Sequence, residues 1–400
     1  MKKVYIAAYN QSKFGKLMDM TVPQIVSNSI TAACRQINVE PKVLDVASIG
    51  AACNFSLNKQ GLLSGLMAMV PGMEAKPMEA VENACASGGQ AVLSVIYKLQ
   101  LGIGDTGIAV GYEKMRDNEG KMDGKLIGEV LGYFSYPDER EGKTFVFPHL
   151  FAEVMKEYME TYGVSEEDLA RIAVQEYANA KYNSCAQMNK VQITLDQAMK
   201  IEGINRYVVD GLPLKTYDCS QITDGYASLI LATEEGLNKL GVPKNECVEI
   251  AGFAQATDPL QKAGREVLKA RGAFTAMRKA YEMAGVLPQD VNVAEVHDCF
   301  TVMGAIGTEV IGKASLGKGA QYWKEGKANV DGECAINTSG GLIAKGHPVG
   351  ATGIAMIGWS ALQLLGKAPQ ELQVKNPKYA ATFNIGGPIC ASVCTVLKGA

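Results

Sequence analysis

Histidine is scarce in this chain, with three in 400 residues, at positions 149, 297 and 347. That excludes a histidine-rich metal centre and makes each position worth a separate reading. Unbalanced charge is also missing. The 39 Lys and Arg against 42 Asp and Glu leave a formal net charge of −3, which gives no electrostatic footprint for nucleic acid or for an anionic membrane surface. The apolar runs at 61–69 and 353–365 are short and interrupted, below the roughly 20 residues a membrane-spanning helix needs. Met1-Lys2-Lys3-Val4-Tyr5-Ile6 opens like a signal peptide, but Tyr9, Asn10, Gln11 and Lys13 break it, and a first strand is the expectation. None of the ten cysteines falls in a Cys-x-x-Cys pair, which argues against a zinc ribbon within the chain. Their irregular spacing excludes a disulfide framework, so reduced thiols in the cytoplasm are expected.

What the chain does have is glycine, 43 residues, and a hydrophobic content of 47%. That supports large cores joined by tight loops, in more than one folding unit or in one duplicated unit. The order of its segments repeats. A small-residue loop around Cys85 precedes an apolar helix ending near Gly102, then a strand over 106–110 and Gly111. A second such loop, Gly350-Ala351-Thr352-Gly353, precedes a helix ending at Gly366, a strand over 379–383 and a glycine turn, Asn384-Ile385-Gly386-Gly387. Thr21-Val22-Pro23 opens an earlier helix, with a cap and a proline in the first turn, followed by a strand over 44–52. Its later echo is a helix over 274–285 and a strand over 291–296. The α/β unit reads as duplicated, with halves at 1–115 plus 216–246 and at 247–400. Between them, 116–215 is richer in charge, Tyr and Met, with helices expected over 151–162 and 166–183. It reads as an inserted loop domain.

Asn83-Ala84-Cys85-Ala86-Ser87-Gly88-Gly89 places one cysteine at or just before a helix N-terminus. Free N–H groups and positive potential there favour a thiolate, hence a nucleophile; the alternative is a small cysteine packed under glycines. A nucleophilic thiol needs a base and oxyanion donors. His297 ends a predicted strand beside Cys299, where α/β proteins place chemistry. His347 sits in a loop dense in glycine, from Ser339 to Gly353. A phosphate loop is the weaker alternative for that stretch, which lacks a Gly-Lys-Ser/Thr ending.

Four segments together, Cys85-Ala86-Ser87, His297-Asp298-Cys299-Phe300, Gly346-His347-Pro348 and Asn384-Ile385-Gly386-Gly387, resemble the thiolase superfamily. His-Asp-Cys-Phe in place of the usual Asn-Glu-Ala-Phe resembles the branch of sterol carrier protein-type thiolases, which includes benzoylsuccinyl-CoA thiolase-like subunits. The resemblance implies duplicated α/β halves stacked in five layers (αβαβα) under the loop domain. It implies a homodimer or dimer of dimers acting on acyl-CoA, with coenzyme A as co-substrate and no permanently bound cofactor. It implies an acyl-Cys85 intermediate, His347 as activating base, His297 in the oxyanion hole, and the Cys85 and Gly386 N–H groups as a second hole beside Gly387. Asn384 stands where many thiolases carry a second cysteine, so the resemblance gives the acid/base role to Cys299, with Cys390 as a rival. Pro388 departs from the usual glycine. Met303 and His149 are placed near the substrate pocket, with packing as the alternative for each. Members of the branch also resemble subunits that pair with a small zinc-ribbon/OB-fold protein. A non-condensing acyl transferase and a CoA-binding scaffold subunit are the other readings.

Overall fold

The computed structural model describes residues 2–116 and 121–399. Ten strands form its frame: β1 (Tyr5–Gln11), β2 (Val46–Gly50), β3 (Met78–Val81), β4 (Thr106–Glu113), β5 (Gly225–Ala232), β6 (Val248–Thr257), β7 (Val293–Val296), β8 (Ala335–Ile336), β9 (Tyr379–Gly386) and β10 (Ala391–Lys398). Their hydrogen-bonded order is β3-β2-β4-β5-β1-β6-β10-β9-β7-β8. Each strand of the first half thus has a counterpart five places later, in mirrored order. The pairings agree: β2 runs parallel to β3 and β4, as β7 does to β8 and β9. β5 is antiparallel to β4 and β1, as β10 is to β9 and β6. The two halves meet in a short antiparallel ladder, Tyr5↔Glu249 and Ile6↔Val248.

Helices repeat in the same way. Val22–Gln36 and Arg271–Ala284 follow β1 and β6; Ser87–Gln100 and Thr352–Leu364 follow β3 and β8. The last two are apolar on nearly every side, as helices enclosed on both faces must be. They fill the middle layer. Val92, Leu93 and Ile96 of one and Ile354 and Ala355 of the other share a core with residues of both half-sheets, among them Val46, Leu229, Val293 and Val393. Outer cores form where Ile25 and Ile30 cover Ile49 and Val110, and where Ala276 and Met277 cover Val296 and Phe383. Five layers result, helix, sheet, helix pair, sheet, helix. Each buried Leu, Ile or Val adds roughly 1.5–3 kcal/mol.

Three expected boundaries shift for a physical reason. β4 continues past Gly111 to Glu113, and that glycine is a crossing point rather than a turn, because a Cβ there would lie 2.2 Å from the Gly350 carbonyl oxygen. β9 likewise continues through Asn384 to Gly386, so the turn begins only at Gly387. The insertion carries helices at Val146–Tyr162 and Glu166–Ala180. The first starts earlier than expected because Pro148 falls in its first turn, where no amide donor is needed. The second opens with a capping box between Ser165 and Asp168. No helix among the described residues is long and apolar enough to cross a membrane.

Candidate active site

Cys85 stands on the loop that starts the Ser87–Gln100 helix. Ala84 takes a positive φ of 48°, and the Ser87 hydroxyl holds the bend, donating to Ala84 O at 2.6 Å and accepting from Asn83 N–H at 2.8 Å. The helix N-terminus does not decide the state of the thiol. Burial first, then the nearby Glu113 carboxylate, push Cys85 up to about 12, against the pull of its own N–H and that of Gly387. The sulfur rests as a thiol and needs a base.

His347 arrives from the other half. Its main-chain N–H donates to Thr223 Oγ1 at 3.0 Å. Its ring Nδ1 lies 2.7 Å from Thr352 Oγ1. The Thr352 hydroxyl spends its own proton on the Pro348 carbonyl at 3.0 Å, so it accepts from Nδ1–H. The network therefore leaves Nε2 of His347 as a bare lone pair. Burial, then the Lys345 charge, hold His347 down to about 3, so the ring is neutral at rest, with Nε2 unprotonated.

His297 follows β7 and carries the opposite tautomer. Asn384 Nδ2 donates to the Cys85 carbonyl at 3.0 Å, which fixes the amide orientation, and its second hydrogen points at His297 Nδ1, 2.9 Å away. Nδ1 is therefore the acceptor, and Nε2 carries hydrogen. That Nε2–H is buried with no partner among the described residues, an expensive arrangement in a resting protein. Burial, then His347, hold this ring far below the usual imidazole range. The two rings meet edge to face at 89°, centroids 5.0 Å apart. Cys85 Sγ and a nitrogen of each ring all lie within 4.8 Å of one another. Sulfur and two imidazoles also make a soft-metal donor set. His297, however, presents an N–H rather than a lone pair, so the trio suits proton transfer and anion binding better.

Buried carboxylates hold the His347 loop, a role the sequence reading missed. Asp298 accepts from the N–H groups of Leu342 and Ile343 at 2.8 and 3.1 Å and from Asn337 Nδ2 at 2.9 Å. Burial, then Asp298 beside it, raise the Glu176 carboxyl well above its ordinary value, so it stays protonated and hydrogen-bonds to Asp298. Glu295 accepts from Ser339 N–H at 3.1 Å and faces Lys345 Nζ at 3.4 Å. Glu113 takes the N–H groups of Ala52, Cys53 and Gly350, joining loops of the two halves. The acidic residue beside His297 was the available signal.

A cavity of about 160 Å³ opens at Cys85 and His347. Its walls include Cys219 and Cys299, and its outer part is apolar, with Phe134, Phe145, Phe147 and Phe300. Burial first, then Cys85, Asp298 and Cys219, push Cys299 well above the ordinary thiol range. Four of the expected positions can be placed relative to this cavity. Met303 is fully buried in the outer core and lines no part of this cavity. His149 turns away from it and pairs with Glu153 at 3.2 Å, one helical turn on. The Gly387 N–H, next to the Gly386 named from the sequence, pulls on the Cys85 thiol. The Gly386 peptide is committed to the strand ladder, and its lack of a Cβ matters because one would sit 2.2 Å from Asn83 O. Cys390, the rival thiol, donates to Asp258 O at 2.9 Å and lies outside the cavity wall.

Known proteins bear on this geometry. Residues 4–235 match the family described as "Thiolase, N-terminal domain", and residues 254–399 match "Thiolase C-terminal domain-like". The chain belongs to the thiolase family. It is an acyltransferase of the thiolase type, with CoA thioester chemistry. Among relatives of this thiolase, the acetyl-CoA acetyltransferase of Methanothermobacter thermautotrophicus is 33% identical, covering 97% of each chain. The benzoylsuccinyl-CoA thiolase subunit BbsB of Thauera aromatica is 28% identical over 96% of this chain and 95% of its own. Sterol carrier protein 2 of Bos taurus is 29% identical over 96% of this chain and 70% of its own. The solved "Ltp2-ChsH2(DUF35) aldolase" superposes with a TM-score of 0.80 at 20% identity, over 99% of this chain and 98% of that one, a likeness of fold.

Proposed function

We propose that this thiolase cleaves a 3-oxoacyl-CoA with coenzyme A, or runs the reverse condensation, through an acyl-Cys85 intermediate. The observation that carries the reading is the pair of hydrogen bonds, Thr352 to one ring and Asn384 to the other, that assigns opposite tautomers to two histidines around one sulfur. His347 Nε2 takes the Cys85 proton; the thiolate attacks the keto carbon; the carbon–carbon bond breaks; and the leaving enolate oxygen is held by His297 Nε2–H. The N–H groups of Cys85 and Gly387 face the oxygen of the tetrahedral carbon. Cys299, whose proton burial retains, supplies it to the departing carbanion. The Cys299 thiolate then takes the thiol proton of coenzyme A, whose sulfur removes the acyl group, and His347 returns its proton to the released Cys85 sulfur. No resident cofactor enters these steps.

The test supplies a panel of 3-oxoacyl-CoAs with free coenzyme A and follows cleavage, with mass spectrometry for an acyl adduct at Cys85. Cys85→Ser is expected to lose both adduct and turnover, by at least about 10³-fold; full activity in that variant defeats the reading. The occupation of the usual second-cysteine position by Asn384 favours one alternative, an acyl transferase that leaves carbon–carbon bonds intact. Unchanged turnover in Cys299→Ala supports it. Acyl labelling of Cys85 excludes a scaffold role.

The quaternary proposal is a homodimer or dimer of dimers, and beside it a separate small zinc-ribbon/OB-fold subunit. Its support is that BbsB is named as a subunit and that the aldolase name joins Ltp2 to a DUF35 chain. Ten unpaired cysteines fit a reducing cytoplasm.

A further inference from the structure

We propose that Arg265 is a positioning residue for this site: its guanidinium clamps the turn at 387–389 and so keeps the Gly387 N–H aimed at the acyl-accepting sulfur. The proposal rests on the acyl-Cys85 reading.

The turn's own hydrogen bonds leave two of its carbonyls open. Pro388 has no N–H to donate. The Ile389 N–H is spent on Gly387 O at 2.8 Å, and the Cys390 N–H on Gly386 O at 3.2 Å. Ile389 is buried at a φ of 53°, a left-handed conformation that a β-branched residue adopts only when its surroundings force it. The carbonyls of Pro388 and Ile389 fall between the ends of β9 and β10 and take no ladder partner. Arg265 meets both, with Nη2 at 2.6 Å from Pro388 O and Nη1 at 3.0 Å from Ile389 O. A planar fork fixes two carbonyl directions at once, which an ammonium on a flexible stem does not.

The segment that carries the arginine is anchored. Asp258 N–H donates to Cys390 O at 2.9 Å, and the Asp258 carboxylate accepts from Gly272 N–H at 2.9 Å. Lys262 pairs with Glu153, and Ala263 N–H donates to Glu139 at 2.7 Å. The segment therefore ties the strained turn to the helices of the insertion. On the other side, the Phe134 carbonyl would lie 3.2 Å from a Cβ at Gly387, so the turn has little room to relax inward.

The experiment uses full-length Arg265→Gln, Arg265→Lys and Arg265→Ala with two readouts. One is the steady-state cleavage of the 3-oxoacyl-CoA that the wild type uses best. The other is the pH dependence of Cys85 alkylation by iodoacetamide, followed by mass spectrometry. Arg265→Gln is expected to lower kcat by about 10- to 100-fold, a fraction of the loss seen when an oxyanion donor is deleted, while KM stays within about threefold. The alkylation profile is expected to move to higher pH, because a donor to the thiolate has been misplaced. Arg265→Lys recovers little, and millimolar guanidinium restores part of the Arg265→Ala loss. An unchanged alkylation profile in both Arg265→Lys and Arg265→Gln overturns the proposal, as does Arg265→Lys with wild-type kcat. Should Arg265→Ala fold poorly, the other two variants decide. A wild type that cleaves no 3-oxoacyl-CoA ends the thiolase reading, and the alkylation shift then still decides the clamp.

Discussion

His297 and His347 are the same side chain put to opposite uses, and each use follows from one neighbour. Thr352 leaves His347 a lone pair; Asn384 leaves His297 an N–H. Truncating His297 to Ala should lower kcat by about 10²–10³-fold, as deleting an oxyanion donor does elsewhere. His297→Asn, which returns an N–H, should recover part of it in the same cleavage assay. Equal rates for the two variants would remove His297 from the anion site.

The same burial sets an acid limit on stability. Below the ordinary imidazole value near 6.5, the unfolded chain takes up a proton at position 347 that the folded protein refuses down to about 3. Stability therefore falls as pH drops through that window, by up to about 1.4 kcal/mol per pH unit for one fully buried ring. Glu113 has the opposite sign. Burial raises it to about 7, so its contribution favours the fold at low pH and is lost as pH rises through that value. Urea midpoints of wild type and His347→Gln at about pH 6.5 and about pH 4.5 separate the two. The variant should lose less on acidification, and an identical loss would reject the assignment.

At the level of elements, two helix starts and two strand ends make the site. The starts are in backbone contact. A Cβ on Gly88 would lie 2.5 Å from Gly350 O, and one on Gly353 2.4 Å from Gly89 N. Gly353→Ala is therefore expected to cost about 1–3 kcal/mol by overpacking, read as a lower urea midpoint, and to slow Cys85 alkylation by moving the loop. These elements were legible in the sequence because their signals are local. Small residues before an apolar run gave the helix after Cys85, and a break in apolar pattern gave the strand before His297. What was not legible depends on contacts between distant segments. Glycines at 111 and 386 resemble turn residues in a string of letters, yet each is a backbone crossing. Met303 has the spacing of a pocket residue, and only packing shows it turned into the core. Burial, which raises the Cys85 thiol against the pull of the helix start, cannot be read from neighbours in sequence. The Asn384 amide, conspicuous as a missing cysteine, gains its meaning only from two partners, one of them 299 positions away.

Taken whole, the molecule has a middle layer that belongs to neither half. Val92 and Ile96 share one apolar core with Ile354 and Ala355. Residues 1–246 and 247–400 produced separately should each lack a cooperative unfolding transition, and mixing them should restore one along with alkylation of Cys85 at the native rate. A stable, cooperative isolated half, seen by circular dichroism against urea, would contradict the shared core.

Mirrored strand order has one further effect. Cys85 and His347, the proposed nucleophile and base, occupy equivalent corners of two related frames, so their separation is governed by how those frames seat against each other. Shaving a methyl group from Val95 or Ile357, out of reach of any reactant, should then detune the chemistry in proportion to the slippage it permits, with every reacting group still intact.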